Sequence, residues 1–473
     1  MAEPTSRLSD AAAPEEIVPP DERRVVLLLA AVQLVNILDF MMPSPLGPRF
    51  AADLGIETAS LGVVVASYTL AAGASGLLGA FVLDRFDRRP ALALSLLGLA
   101  VGTCGAVFAW DLRTLVLARV IAGAFGGPAT SLAMAIVADV VPTGRRGRAL
   151  GTMMMAFSVA SVLGVPMGLV LADWGSWHTP FIVTATLCLL AAGGARLFLP
   201  PLRAHIRDVP ADQARREMIA SFRTLLTDRA VRTAYGMAML SSFGAFMLIP
   251  NIASFVQNNL GYPESLLSLL YGAGGVASFL VLRPLGRLVD RVGSFPISLA
   301  GALGYALVSL ACFVILPPWI TALCAQRTEL LGLPFSWGWV VVTSLFVLFM
   351  LTSNARNVSF GTLSSRVPPA ALRARYQSLS SMVQHLGLAA GGLAGPVLLS
   401  SEEGGALVGI DRLAWISVVT LLAIPWLIRS VERRIDARDG HRRDAPAPES
   451  APRQVAAPAL AREVEVPARE VGR

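Results

Sequence analysis

The sequence predicts an all-α integral membrane protein, with twelve transmembrane helices in two pseudo-symmetric six-helix bundles. Three observations predict this. The 473 residues are 54% hydrophobic and only 15% charged, with mean hydropathy +0.62, too little charge to cover a soluble protein of this size. The apolar residues come in runs such as PALALSLLGLAVGTCGAVFAW and LAWISVVTLLAIPWLI, long enough to cross about 30 Å of hydrocarbon as helices. The arginines gather on alternate loops, which orients the chain.

A polar, acidic, Pro-rich tail (1–23) opens the chain and is unlike a cleaved signal peptide, so the first span serves as the insertion signal. Spans are predicted at 24–48, 58–83, 89–110, 113–139, 148–172, 178–199, 232–258, 264–286, 295–316, 338–362, 376–400 and 412–429. With the N-terminus cytosolic, DRFDRR, PTGRRGR, GRLVDRVG, SRVPPAALRAR and both longer polar segments fall inside and hold most arginines. The outside loops keep Arg49, Arg113, Arg327 and Arg412. Trp110, Trp174, Trp177, Trp319, Trp337, Trp339 and Trp415 sit at outer ends as an interfacial belt; Trp426 alone does not.

Residues 201–231 divide a first bundle (24–200) from a second (232–430). The spacing of Met218, Ile219, Phe222, Leu225 and Leu226 predicts either a helix on the membrane surface or a solvated tether. The tail 431–473 mixes Arg, Glu, Ala and Pro and predicts disorder. The formal charge of +7, carried entirely by arginine on the basic side, follows from topology and does not call for nucleic acid. Four cysteines lack paired spacing, and no metal-ligand cluster, nucleophile elbow or phosphate loop appears. Neither an enzyme nor a cofactor or metal is expected.

The two halves echo each other. Asp84-Arg85 after the second span matches Asp290-Arg291 after the eighth; VPTGRRGRAL after the fourth matches VPPAALRARY after the tenth; GVPMG in the fifth matches GLAAGGLAGP in the eleventh. Such internal repeats are typical of secondary transporters. Here the residues resemble the major facilitator superfamily over nearly all of 24–430. Gly286-Arg287-Leu288-Val289-Asp290-Arg291-Val292-Gly293 is similar to its signature G-x-L-x-D-R-x-G-R-R; the first copy departs from it with Ala80 and Asp87 at the two glycines. Arg119 and Gly123 resemble the antiporters' R-x-x-x-G motif. LDFMMPSPLGP and the stretch around Gly164, Pro166 and Gly168 resemble the drug:proton and sugar-efflux branch.

The resemblance implies alternating access, a small-molecule substrate, protons as coupling ions, and a monomer in a bacterial inner membrane with both termini cytosolic. Spans one, four, seven and ten would line the cavity. It also implies a latch in the turn Asp84, Arg85, Asp87, Arg88 and Arg89, with Asp84 meeting the start of span eleven near Tyr376. Asp290 and Arg291 would act likewise near Ala149. At Asp87 an aspartate tolerates a left-handed turn better than most residues.

Ionisable groups inside a span are costly and point to function. Asp39 lies about 22 Å from the inner end at 1.5 Å per residue, and Arg119 in the outer half of span four, neighbours if the resemblance holds. Burial penalises such a carboxylate's charge while a cation favours it, so the pair either carries a coupling proton or permanently locks two helices. His385 is a second candidate proton site or a neutral, hydrogen-bonded packing residue. Arg356 is expected near the cytosolic end, snorkelling or contacting substrate. Gln33, Asn36, Ser242, Phe246, Asn251 and Asn354 complete a mostly apolar candidate cavity suited to a neutral or lipophilic substrate. Gly123, Gly164, Pro166, Gly168, Gly391 and Gly395 are expected at close helix contacts, and the span-five motif implies export. An importer or uniporter is the alternative, as is a non-transporting receptor or scaffold on the same fold.

Overall fold

The computed structural model describes residues 22–83, 86–202, 211–330, 333–368, 372–402 and 404–444. The first bundle runs α1 (Glu22–Met41), α2 (Pro43–Leu54), α3 (Leu61–Val82), α4 (Arg88–Val107), α5 (Leu112–Val140), α6 (Thr143–Val159), α7 (Val165–Trp174) and α8 (His178–Phe198). The connecting segment holds α9 (Ala211–Thr227). The second bundle runs α10 (Arg229–Leu248), α11 (Ile252–Ser254), α12 (Leu267–Val292), α13 (Ser294–Leu310), α14 (Pro317–Ala325), α15 (Trp337–Arg366), α16 (Arg373–Leu398), α17 (Ile410–Leu422) and α18 (Ile424–Asp444).

Among the described residues, 11 helical segments are long and apolar enough to cross a membrane. The 26-residue α16 supplies the twelfth crossing by length, its hydroxyls and glycines making it less apolar. Helices suit this environment because hydrocarbon offers no partner to an open backbone group. Two small antiparallel hairpins, β1 (Thr328–Leu330) with β2 (Leu333–Phe335) and β3 (Ser400–Ser401) with β4 (Leu407–Val408), lie in the loops before α15 and α17.

Prolines account for most breaks in the spans. Pro43 opens α2 and so divides the first span, while Pro250 falls in the 3₁₀ turn Ile249–Asn251 of the seventh. A π turn over Ala160–Gly164 precedes Pro166, whose ring cannot join the regular backbone ladder.

Two predicted boundaries need correction. Residues 431–444, expected to be disordered, continue α18, because Val431 and Ile435 stay on the buried face begun by Ile424 and Ile428. Span ten ends at Arg366 and not near 362, which places its inner residues deeper than expected. Helix α9 forms in the connector, with Leu225 buried and Arg375 of α16 donating to the Ser221 hydroxyl.

The arginine-rich turns share one end of the molecule, the basic end. At the opposite, neutral end the halves are fastened together. Arg49 of α2 pairs with Asp173 of its own half and, at 2.5 Å, with Glu264 of the other. Thr58 meets the Ser401 hydroxyl at 2.9 Å and donates to the Gly405 carbonyl at 3.0 Å; Ser44 donates to the Ile249 carbonyl at 3.0 Å. Gly62 and Gly392 bring α3 and α16 so close that a Cβ on Gly62 would overlap the Gly392 carbonyl.

Candidate functional site

Asp39 lies two residues from the end of α1, and Arg119 lies on α5. The start of α5 is set by a capping box: Thr114 donates its backbone N–H to Asp111 at 2.8 Å and accepts from the Asp111 N–H. Arg119 therefore sits eight residues, or about 12 Å, inside the neutral end. Small residues bring the neighbours in. A Cβ on Gly102 would overlap the Ala122 backbone, so α4 lies close to α5 and presents Thr103. A Cβ on Gly123 would likewise overlap the Tyr68 carbonyl, so α3 lies close and presents the Tyr68 ring.

The result is a dry ion pair. Asp39 and Arg119 are 1% and 0% exposed. Arg119 Nη1 donates to both carboxylate oxygens of Asp39 at 2.9 and 3.1 Å, and Nη2 to the Asp39 carbonyl at 2.9 Å. Its Cζ stands 4.6 Å from the centroid of Tyr68. The Thr103 hydroxyl lies 2.7 Å from Asp39 Oδ1 and 2.8 Å from the Leu99 carbonyl. With one proton to give, it serves only one of these acceptors at a time.

A polar chain links the pair to a cavity. Tyr68 donates to Asn36 Oδ1 at 2.7 Å, and Asn36 Nδ2 donates to the Gly126 carbonyl and Thr130 hydroxyl at 2.8 and 2.5 Å. The cavity, of about 170 Å³, is lined by Gln33, Asn36, Phe40 and Tyr68 on one side and by Ser378, Ser381, Met382 and His385 on the other. Gln33 Oε1 is buried there without a partner among the described residues. His385 Nδ1 donates to the Ser381 carbonyl at 2.7 Å, which makes Nε2 the acceptor of the neutral ring. Its Cβ packs against Gly73 of α3, where no side chain interferes.

The remaining candidates divide. Phe246 stacks on Phe40 at 5.8 Å, beside the cavity. Ser242 instead packs against Gly387 between α10 and α16, and Asn251 is buried near Gly395 with Nδ2 donating to the Met247 carbonyl. Asn354 is half-buried and absent from the cavity wall. Gly164 and Gly168 face Leu38 and Met42 of the first span, a Cβ on Gly272 would lie 3.6 Å from the Pro166 ring, and Gly391 and Gly395 face the Phe243 and Ala59 carbonyls.

Arg356 is a correction. It neither snorkels nor lines the cavity but is 0% exposed, with its Cζ 5.0 Å from the Tyr305 ring centroid. It lies ten residues, about 15 Å, from the helix end at Arg366, beyond the reach of its stem.

Among the latch residues, the left-handed backbone expected at Asp87 is corrected. Asp84 and Arg85 lie outside the described residues. Asp87 has φ −58°, not a left-handed backbone; it caps α4 by accepting from the Arg89 N–H at 3.0 Å and also accepts from the Leu202 N–H at 3.1 Å. Arg88 pairs with Asp139 at 3.1 Å, and Arg89 donates to the Arg196 carbonyl, two contacts within the first half. Asp290 and Arg291 are exposed, and Asp290 has no partner among the described residues. Its helix α12 meets the fifth span at Gly275, against Ser161, 15 residues or about 22 Å away.

The family model described as Major Facilitator Superfamily matches residues 29–392. The chain belongs to that superfamily. Among similar proteins, a chloramphenicol resistance protein of Streptomyces lividans is 28% identical over 58% of this chain and 68% of its own length. A putative multidrug resistance protein, MdtD, of Salmonella newport is 23% identical over 83% of this chain and 91% of its own. Among solved structures, a D-xylose–proton symporter superposes with TM-score 0.63 at 20% identity, covering 86% of this chain and 97% of that one. At that identity the likeness concerns the fold.

The sequence offered no signal for Tyr68, Thr103 or Thr130. Hydroxyl-bearing residues are common in apolar spans, and only the glycine contacts reveal which ones face Asp39 and Asn36.

Proposed function

We propose that this superfamily member exports a small neutral or lipophilic molecule across a bacterial inner membrane in exchange for protons, by alternating access, with Asp39 as the proton carrier. The observation that carries the proposal is the sealed Asp39–Arg119–Thr103 cluster, in which the Asp39 carboxyl has hydrogen-bond partners in either protonation state.

With Asp39 ionised, Arg119 and Thr103 both donate to it. When Asp39 takes a proton, its O–H donates to the Thr103 hydroxyl, which turns its own proton to Leu99. Arg119 keeps the Asp39 carbonyl and the face of Tyr68, so the freed guanidinium is not left bare. That matters because breaking a buried pair otherwise costs about 3–5 kcal/mol. Movement of Arg119 is felt at the cavity through Tyr68 and Asn36, where substrate would sit facing His385, a second titratable group. Proton and substrate then shift the same equilibrium, each by its differential affinity for the two states. The neutral-end fastening, taken as the outward side, describes the inward-facing member of the pair.

The similarity to drug-resistance proteins supports export, and chloramphenicol is a first test compound. Wild-type protein in proteoliposomes with an imposed pH gradient should accumulate it against its own gradient. Asp39→Asn should insert and fold yet lose the gradient-driven component. Undiminished gradient-driven flux by that variant would overturn the role of Asp39; accumulation in right-side-out vesicles alone would make the protein an importer.

A further inference from the structure

Trp426 is the one tryptophan away from the outer belt, and α18 continues well past its predicted span. The two facts meet in one place. We propose that Trp426, Arg429 and Arg433 form a groove that binds the phosphate headgroup of an anionic phospholipid in the inner leaflet.

The residues fall on one helical face by spacing of three and four, with Ser430 between them, opposite the buried stripe of Ile424, Ile428, Val431 and Ile435. They line an open groove of about 390 Å³ together with Arg434. Phe295 of α13 packs beside two of these residues: its ring lies 6.0 Å from that of Trp426, and Arg429 Cζ stands 4.9 Å from its centroid. Depth agrees with the assignment. From Trp415 in the outer belt to Arg433 is 18 residues, about 27 Å of helix against about 30 Å of hydrocarbon. Arg433 thus reaches the inner headgroup level, while Trp426, 62% exposed, flanks the acyl chain below it.

Charge decides what the groove takes. Three acids near the groove are occupied elsewhere: Glu432 accepts from the Ser294 N–H at 3.2 Å, Asp436 lies 3.6 Å from Arg366, and Asp228 caps α10. Arg434 donates to the Arg229 carbonyl and the Thr233 hydroxyl, both at 3.1 Å. Arg429 and Arg433 have no carboxylate in ion-pair range among the described residues. Two uncompensated guanidiniums above an aromatic floor match a phosphate attached to an apolar chain, and α18 packs on α10 and α13, so a bound lipid braces three helices.

The test uses the full chain in nanodiscs of phosphatidylcholine alone or with 30 mol% phosphatidylglycerol as the probe. An arginine near an anionic leaflet is worth about fivefold in binding, so Arg429→Gln/Arg433→Gln should bind phosphatidylglycerol about 25-fold more weakly by native mass spectrometry. Its thermal stabilisation by that lipid should vanish as well, whereas Arg429→Lys/Arg433→Lys should stay within a few-fold of wild type. Equal retention of the lipid by the glutamine variant overturns the proposal. So does displacement of the lipid by millimolar inorganic phosphate, which would mean that the groove takes the free anion.

Discussion

Replacing Arg119 by methionine removes three hydrogen bonds and the only cation paired with Asp39 among the described residues, at nearly constant volume. Breaking a buried pair from one side costs about 3–5 kcal/mol, mostly for the charge left behind. The two single substitutions should differ in kind. Arg119→Met leaves a carboxylate that can neutralise itself by binding a proton, so its destabilisation should shrink as pH falls from 8 to 5. Asp39→Asn leaves a guanidinium that stays charged, eased by the amide oxygen of the new side chain and by Tyr68, and its smaller cost should not vary with pH over that range. Asp39→Asn/Arg119→Met should recover at least half of the summed loss. Thermal unfolding in detergent, followed by thiol labelling in a Cys104→Ser background, suits the protein because Cys104 is exposed while Cys188, Cys312 and Cys324 are buried and react only on unfolding. Strictly additive substitutions, or an Arg119→Met penalty of the same size at pH 5 and 8, would refute the coupling on which the mechanism rests.

Three further outcomes follow from the same geometry. Arg356→Met should be neutral or stabilising in the same melt, since it removes a fully buried cation with unpartnered Nε and Nη1; a loss of several degrees would contradict this. Gly62→Ala should hinder closure of the neutral end, read as higher labelling of a cysteine at Ser401, because its Cβ would overlap the Gly392 carbonyl; unchanged labelling would show that the helices yield. Asp87→Ala should cost about 1 kcal/mol through the lost α4 cap, and Asp87→Asn, which can still accept both N–H groups, clearly less; equal losses would place the effect in charge and not in capping.

The sequence alone determined where most of the spans lie and the depth of Asp39 and Arg119 within them. A bilayer makes these one-dimensional properties: length, apolarity and loop charge suffice, which is why Asp39 and Arg119 could be singled out and set at similar depth. It also supplied the resemblance between halves, down to Asp84-Arg85 and Asp290-Arg291. Where a soluble continuation replaced the bilayer the pattern weakened, and the buried stripe of α18 past residue 430 went unread.

What only the tertiary structure decided is rotation about each helix axis. In a span that is apolar all round, no stripe announces the inward face. Two arginines in neighbouring contexts show the consequence. Arg119 is turned onto Asp39, whereas Arg356, chosen by the same reasoning, is turned into its own bundle against Tyr305. Thr103 and Tyr68 were indistinguishable from packing residues until Gly102 and Gly123 were seen to bring their helices against α5. Distance along the chain sets depth in the membrane, but backbone contact at a few missing side chains sets which depth-matched groups meet, and the candidate proton site exists only at those meetings.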